Sequence, residues 1–323
     1  MEDFEDFFVD IPKIIEDPIT GNQYNRGGFL GKGGFGECYL FTDLRTRKKY
    51  TGKVVIMSEL NCELDMIYEE ITIHKNLRHR NIIRMFEYVE CSKYICMILE
   101  LCDDTLEGVL KRLKVLDEPS CRFVIREVAC GLSHLHENRI IHRDIKPDNI
   151  FLTKDMDVKI GDFGIAIRHV DLTERIWKRC GTRKYFAPET LNGHGYSFGV
   201  DVWALGITLY NMVVGHDPFD DVFTSVLYDI IKKCDIYLQI PSTVPVHTRD
   251  MIRILLTRDP DSRPTIDDVL KCDYLNSKSI SKDHLQGYVS EKHISNTVNQ
   301  KDLHECNEMT LSKNKNISKK DVN

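Results

Sequence analysis

The chain of 323 residues has 42% hydrophobic and 29% charged residues, a composition typical of soluble globular proteins. Its formal net charge of −6 argues against general nucleic-acid binding. No apolar run reaches the length of about 18 residues that a membrane span needs, and the acidic start MEDFEDFFVD predicts no targeting peptide. The 11 cysteines form no C-x-x-C pair, which favours reduced thiols over disulfides or zinc. We therefore expect an intracellular protein of the cytoplasm, the nucleus or both, without membrane insertion.

Residues 1 to about 22 are acidic and poorly patterned, which predicts a flexible extension. A glycine cluster follows, 30-LGKGGFGEC-38. The residues after it continue as a β-prone run and do not open a helix, which argues against a dinucleotide-binding turn. The pattern instead predicts strand, glycine turn and strand, with backbone N–H groups at the tip that can meet a phosphate. A plain turn between strands is the alternative. Lys53 lies on the next strand-like run.

The lobes of the predicted domain differ in their periodicity. Residues 23–101 read as a small antiparallel sheet with one helix near 63-ELDMIYEEITIHKNL-77, and residues 104–275 are mostly helical. Two helical stripes in the second part predict core positions: Val124, Val128, Leu132, Leu135, Val202, Leu205, Leu209 and Met212. Residues 276–323 are polar and lack periodicity, which predicts a disordered tail. A docking segment is the alternative for this tail.

The chemistry lies in two motifs, 141-IHRDIKPDNIFL-152 and 158-VKIGDFGIA-166. Singly, an Asp or Asn in such a loop is more often a turn former or a helix cap. As an ordered set after the glycine cluster and Lys53, followed by A-P-E at 187–189, they are not a coincidence. Over about residues 26–275 the chain resembles the eukaryotic protein kinases of the serine/threonine type. The resemblance implies an α+β, bilobal protein kinase fold.

The resemblance assigns roles in phosphoryl transfer from ATP with Mg²⁺. Asp162 of D-F-G and Asn149 are the expected metal ligands. Asp144 is the expected base, which accepts and orients the acceptor hydroxyl. Lys146 is expected to place a cation beside the transferred group, as in serine/threonine kinases, and Lys53 is expected to contact the phosphates.

The resemblance further implies a nucleotide pocket formed by Leu30, Gly31, Lys32, Gly33, Gly34, Phe35, Gly36, Glu37, Cys38, Lys53, Glu70, Glu100, Cys102 and Phe151. Glu70 is the expected partner of Lys53. Glu69 is the alternative, but it points about 100° away around the helix. In the second lobe the family pattern implies that Arg263 pairs with Glu189, that Asp201 holds the catalytic loop, and that Thr182 contacts Asp144 and Lys146.

Within the kinases, the chain is most similar to the catalytic domain of polo-like kinases. The likeness lies in Cys38, in Phe151 and in 70-EITIHKNL-77, 99-LELC-102 and 199-GVDVW-203. Cys38 above the adenine and Phe151 below it predict a polarisable roof and an aromatic floor. Cys38 as a plain core residue is the alternative.

Two departures concern regulation. The short polar tail is not expected to fold into the phosphopeptide-binding boxes of polo-like kinases. Lys178 stands where that family carries its activating threonine, in the activation segment between D-F-G and A-P-E. An ammonium there cannot be phosphorylated, and Arg143 of H-R-D would face another cation. Either the segment orders without phosphate, which we favour, or Thr173 takes over the role.

Asp103 and Asp104 after the hinge, with Asp148 in the catalytic loop, predict a preference for basic residues before the target hydroxyl. The alternative is that the first two are solvated loop residues.

The sequence favours an active kinase for protein substrates, because Lys53, Asp144, Asn149 and Asp162 are all retained. The alternatives are a pseudokinase scaffold, a kinase of another serine/threonine group with basic-directed substrates and, more weakly, a small-molecule kinase. By resemblance alone we expect a role in cell division. We expect a monomer.

Overall fold

The structure is a computed structural model that describes residues 11–34, 36–57, 64–171, 173–219, 227–229, 231, 240–276, 282 and 285. Its first lobe is a six-stranded antiparallel sheet with the strand order β1-β2-β3-β4-β6-β5. The strands are β1 (Ile14–Glu16), β2 (Gln23–Lys32), β3 (Glu37–Asp43), β4 (Lys49–Ile56), β5 (Met85–Glu90) and β6 (Tyr94–Leu99). One helix, α1 (Leu64–His74), packs on one face of this sheet.

The alternation of strand side chains explains why α1 lies where it does. Val55 of β4 and two residues of β6 point to the helix side, where they meet the apolar stripe of α1. That cluster contains Val55, Ile67, Ile71, Met85, Ile95 and Met97. Val54 and Cys96 point to the opposite face, where they pack with Tyr24 and Phe41. The two faces of the sheet therefore carry separate apolar clusters, and α1 packs on one of them.

The expected flexible extension over residues 1–22 is not what the structure shows for residues 11–22. β1 pairs with β2, with Ile15 opposite Tyr24, and Ile15 is fully buried. Ile11 is also buried, and the Asp17 carboxylate accepts a hydrogen bond from the backbone N–H of Ile19 in the turn that follows. The domain therefore begins before residue 23. Residues 1–10 lie outside the described residues.

The second lobe is mostly helical, in agreement with the expectation. Its helices are α2 (Leu106–Leu113), α3 (Glu118–Glu137), α4 (Pro188–Asn192), α5 (Gly199–Val214), α6 (Val246–Leu255), α7 (Ile266–Lys271) and α8 (Asp273–Asn276). Side-chain caps begin several of them; the Asp117 carboxylate, for example, accepts from the Ser120 N–H at 2.9 Å. The two predicted stripes on α3 and α5 are buried in the core of this lobe.

Short strands carry the catalytic loops between the two lobes. They are β7 (Asp104–Thr105), β8 (Ile140–Ile141), β9 (Ile150–Leu152), β10 (Val158–Ile160) and β11 (Ile167–Arg168). β10, β9 and β7 form one small sheet, and β11 pairs with β8 to form another. The catalytic loop therefore leaves β8 and enters β9, and D-F-G lies between β10 and β11. Both loops are fixed at both ends.

The tail beyond residue 276 differs from the expectation at its two described positions. Leu285 is fully buried in the core of the second lobe, and the Lys282 ammonium donates to the Asp155 carbonyl oxygen at 3.2 Å. A single leucine in a polar stretch has no periodicity, so the sequence pattern could not reveal this contact. The other tail residues lie outside the described part of the chain. Within that part, no helix is both long and apolar enough to span a membrane.

Candidate active site

The glycine cluster forms the predicted strand, turn and strand between β2 and β3, with Gly31 paired to Cys38. The Gly33 N–H donates to the Gly36 carbonyl oxygen at 2.8 Å and closes the tip. A Cβ atom at Gly36 would lie 2.4 Å from the Val54 carbonyl oxygen, so only glycine fits there. At Gly31 and Gly34 the space beside the backbone is open. This leaves room for phosphate oxygens. Phe35 lies outside the described residues.

Lys53 lies on β4, directly across from Cys38, and its ammonium joins both lobes. Its Nζ atom is 2.7 Å from Glu70 Oε1 on α1 and 3.1 Å from Asp162 Oδ1 of D-F-G. Glu70 is buried, whereas Glu69 is exposed. The structure therefore brings Lys53 to Glu70 and leaves the alternative partner in solvent.

The charges of this triad follow from burial and proximity. Burial alone would lower the pKa of Lys53, but the two carboxylates outweigh it, so that the pKa lies above its usual value and the ammonium stays charged. Burial raises the pKa of Glu70, against the opposing effect of Lys53. The Lys53 charge lowers the pKa of Asp162, which stays ionised. Asp162 is the partly exposed member, so its carboxylate is the one open to a ligand.

Asp144 lies at the centre of a hydrogen-bond network in the catalytic loop. Its Oδ1 atom accepts from both the N–H (2.9 Å) and the hydroxyl (2.8 Å) of Thr182. Its Oδ2 atom accepts from the Asn149 amide at 2.9 Å and lies 2.8 Å from the Lys146 ammonium. Lys146 also donates to the Thr182 hydroxyl at 2.7 Å. Three predicted residues thus meet at the Asp144 carboxylate, and the activation segment is tied to it through Thr182.

Asn149 uses its amide nitrogen within the loop, where it donates to the backbone carbonyl and the carboxylate of Asp144. Its amide oxygen is therefore the atom available to a metal. Mg²⁺ binds proteins through one or two oxygen ligands, together with waters and phosphates. The ionised Asp162 and the Asn149 oxygen match this requirement, and the Lys53 ammonium and the open glycine tip suit phosphates. The residues present thus fit ATP and Mg²⁺.

The D-F-G motif is held in place by two histidines. Phe163 is fully buried, with its ring 4.6 Å from that of His74 on α1 and 5.2 Å from that of His142. His142 Nε2 lies 3.1 Å from the Gly161 carbonyl oxygen. Asp162, in the left-handed region at φ 60°, is thereby directed at Lys53. His74 was missed at the sequence level, although it lies one helical turn after Glu70 on the buried face of α1.

Asp201 on α5 supports the catalytic loop from below, as the family pattern implies. Its buried carboxylate accepts from the backbone N–H groups of His142 at 3.0 Å and Arg143 at 2.9 Å. His136 Nε2 lies 2.9 Å from the same group. Burial opposes ionisation of Asp201, but these hydrogen bonds and neighbouring histidines outweigh it and lower its pKa. The loop backbone is therefore fixed by an ionised side chain.

The adenine side of the predicted pocket is half-buried. Cys38 on β3 lies opposite Lys53, and burial raises the pKa of its thiol, which keeps it neutral. Phe151 on β9 pairs with Lys159, whose ammonium is 3.2 Å from Glu100 at the hinge. Burial likewise raises the pKa of Cys102 to about 12. Their contacts with adenine remain predictions.

The prediction that three carboxylates face the substrate is wrong for Asp104, and its support is weaker for Asp103. Asp104 is buried, and its Oδ2 atom is 2.6 Å from the Arg112 guanidinium on α2. Asp103 accepts from the Lys154 backbone N–H at 2.6 Å. Both serve the fold, because the chain turns here from the hinge into α2. Only Asp148 is exposed as expected, so the argument for basic flanking residues rests on one side chain.

Arg263 and Glu189 form a buried, bidentate ion pair that anchors the A-P-E element. The two Nη atoms lie 2.7 and 3.0 Å from the two carboxylate oxygens of Glu189. The guanidinium also stacks over Trp203, 5.1 Å from the ring centroid, and donates to the Gly199 carbonyl oxygen. The helix α4 is therefore held against α5 by one side chain.

We expect Arg263→Met to lower the free energy of unfolding by about 3–5 kcal/mol, because it leaves the Glu189 carboxylate buried without a partner. Urea unfolding at pH 7 measures this. The matched control is Arg253→Met, which breaks the exposed pair with Asp250 and should cost less than about 1 kcal/mol. Equal losses in the two variants would contradict the role of the buried pair.

The fold and the site together define a bilobal domain with a buried lysine–glutamate pair, a D-F-G motif and an aspartate at the centre of a hydrogen-bond network. The protein kinase domain family model matches residues 24–275, so the chain belongs to that family. The predicted kinase fold is thereby confirmed.

Similar proteins carry polo-like names, which confirms the predicted resemblance. The chain is 40% identical to serine/threonine-protein kinase PLK1 of Xenopus laevis over 271 residues, which cover 83% of this chain and 45% of that protein. It is 39% identical to serine/threonine-protein kinase polo of Drosophila melanogaster over 280 residues, with 85% and 48% covered. It is 36% identical to serine/threonine-protein kinase PLK2 of Mus musculus over 286 residues, which cover 88% of this chain and 40% of that protein. The chain thus spans less than half the length of these relatives.

Proposed function

We propose that the chain is an active serine/threonine protein kinase that transfers the γ-phosphoryl group of ATP to hydroxyl groups of proteins. The observation that carries this proposal is the network at Asp144, which joins Lys146, Asn149 and Thr182 in one arrangement. A scaffold protein has no need of a base, a cation and a metal ligand at hydrogen-bond distance from one another. The pseudokinase alternative is therefore disfavoured.

Each side chain has a defined task in this proposal. Lys53 would hold the phosphates, and Asp162 and Asn149 would hold Mg²⁺. When bound, ATP and Mg²⁺ supply the transferable group and neutralise its oxygens. The Asp144 carboxylate orients the acceptor hydroxyl and accepts its proton, which general-base catalysis requires. Lys146, held between Asp144 and Thr182, places a positive charge beside the acceptor, and Thr182 aligns the segment on which a polypeptide substrate would lie.

The resemblance to polo-like kinases supports two broader proposals. We place the protein inside the cell, in the cytoplasm or nucleus, with a role in cell division. Its substrates would be proteins carrying serine or threonine. Binding of nucleic acid is not part of the proposal, since the chain is acidic.

The test is phosphate transfer by the whole chain, purified from a bacterial host without eukaryotic kinases. We expect Mg²⁺-dependent labelling of a mixed Ser/Thr peptide library from radiolabelled ATP, and loss of labelling with EDTA. A matched library with tyrosine as the only acceptor should remain unlabelled. ATP binding without transfer to any library would favour the scaffold, and preferential labelling of tyrosine would contradict the proposed specificity.

A further inference from the structure

The guanidinium group of Arg143 in H-R-D donates to neutral oxygen atoms among the residues that the structure describes. Its Nε atom donates to the Ile165 carbonyl oxygen at 2.6 Å, and its Nη1 atom donates to the Tyr196 hydroxyl at 3.1 Å. The Tyr196 hydroxyl in turn donates to the Lys178 carbonyl oxygen at 2.6 Å. Lys178 is exposed, so it enters this network through its backbone. The expectation that Arg143 would face a second cation is therefore replaced by a chain of hydrogen bonds through a tyrosine.

The backbone of Tyr196 also holds the activation segment. Its N–H and carbonyl oxygen exchange two hydrogen bonds with Ile176, each 3.0 Å long. Gly195, at φ 69°, turns the chain into this bridge, where a Cβ atom would lie 2.5 Å from Arg175 Cβ. Arg179 donates to the Leu191 carbonyl oxygen at 3.0 Å. The segment from residue 176 to 179 is thus fixed to α4 and to the loop between α4 and α5.

The hydroxyl of Tyr196 can donate a hydrogen bond to Lys178 and accept one from Arg143 at the same time. Burial raises the pKa of this phenol to about 12, so it keeps its proton near neutral pH. The proton goes to the Lys178 carbonyl oxygen, and a lone pair accepts from the charged Arg143. Hydrogen bonds that involve a charged group contribute more than neutral ones. A phosphate opposite Arg143 would stabilise the segment in a comparable way, by accepting charge-assisted hydrogen bonds from the guanidinium.

Thr173 is a poor substitute for the missing phosphorylation site. Its hydroxyl donates to Asp171 Oδ1 at 2.6 Å, and its N–H donates to the same oxygen at 2.9 Å. A phosphate on Thr173 would lose this donor and lie beside the Asp171 carboxylate, which repels it. The alternative that Thr173 takes over activation is therefore disfavoured.

We propose that Tyr196 is a positioning residue that holds the activation segment in its catalytic arrangement without a phosphate. The proposal rests on the proposed kinase function. Tyr196 acts through Arg143, which is next to Asp144, and through Lys178, which lies four residues before Thr182. The hydrogen-bond chain through Tyr196 therefore ends close to Asp144 on one side and close to Thr182 on the other. These are the two residues that hydrogen-bond to each other at the proposed base.

The first test is hydrogen exchange of the whole chain, unphosphorylated and without ATP or substrate. In Tyr196→Phe we expect the amides of residues 175–182 to exchange about tenfold faster than in the wild type, because the hydroxyl link is lost. The control Tyr274→Phe removes another buried hydroxyl, which lies 3.3 Å from Thr248 in the second lobe. It should leave exchange in residues 175–182 unchanged. Equal exchange in Tyr196→Phe and the wild type would overturn the proposal.

The second test is steady-state kinetics with a peptide acceptor. Tyr196→Phe should lower kcat about tenfold to a hundredfold with little change in the KM for ATP, because the segment and not the nucleotide site is loosened. Thr173→Ala should keep the wild-type rate, as should wild-type protein treated with phosphatase. A rate that falls to background after phosphatase treatment would overturn the proposal. If no form of the chain transfers phosphate, the kinase function fails, and the exchange experiment still decides the role of Tyr196.

Discussion

We expect Asp144→Asn to transfer phosphate about 10²–10⁴-fold more slowly than the wild type, with little change in the KM for ATP. The amide cannot accept the proton of the acceptor hydroxyl, and its nitrogen replaces one of the two oxygens that Thr182 and Asn149 contact. Initial rates with a serine peptide at saturating ATP and Mg²⁺ measure the change, and a thermal unfolding curve shows whether the variant is folded.

The matched control is Asp148→Asn, in the same loop. Its carboxylate is exposed and lies outside the network at Asp144, so with a serine peptide that carries no basic residue we expect its rate to stay within about threefold of the wild type. A similar loss in both variants would mean that general disturbance of the loop, and not the loss of a base, explains the effect. An Asp144→Asn variant with the wild-type rate would remove Asp144 from the proposed chemistry.

The Lys53→Met variant should lose about 3–5 kcal/mol of the free energy of unfolding at pH 7–8, because Glu70 and Asp162 lose the ammonium that compensates their burial. Phosphate transfer should fall with it. Guanidinium unfolding at several pH values measures the stability. The control Lys111→Met breaks an exposed pair with Glu107 on α2 and should change stability by less than about 1 kcal/mol.

The loss in Lys53→Met should depend on pH with a defined sign. Burial already raises the pKa of Glu70, and removing Lys53 raises it further above the unfolded value. The folded variant then binds more protons than the unfolded chain, so its free energy of unfolding falls as pH rises through this interval. We expect Lys53→Met to be more stable at pH 5 than at pH 8. The double variant Lys53→Met/Glu70→Gln should lose most of this dependence; an unchanged dependence would contradict the assignment to Glu70.

Much of the site was predictable because each motif lies in a short stretch of chain with a defined structure. The pairing of Lys53 with Glu70 followed from the family resemblance, and the helical angle between neighbouring residues explains why Glu69 points elsewhere. The supports Arg263 and Asp201 lie where the family pattern implies. The expected order of the two lobes also holds, since the periodicities of strand and helix differ clearly along the chain.

Other features depend on contacts between distant segments, which periodicity does not reveal. Ile15 and Leu285 are isolated apolar residues, and only the folded core shows that they are buried. Asp104 looked like a surface charge because its partner Arg112 lies two helical turns away. Tyr196 had no visible role, since its partner Arg143 lies 53 residues earlier. In each case the missing information was a tertiary contact.

The three residues of β1 have a consequence for how the protein behaves in solution. The strand order places β1 at one edge of the six-stranded sheet, where it pairs with the first residues of β2. A variant that begins at residue 23 would lack β1, so these backbone N–H and carbonyl groups of β2 would be unpaired. The apolar residues that pack against Ile15 would also become exposed. An exposed strand edge of this kind recruits strands from other molecules. We therefore expect the segment before the glycine cluster to limit self-association of the kinase domain.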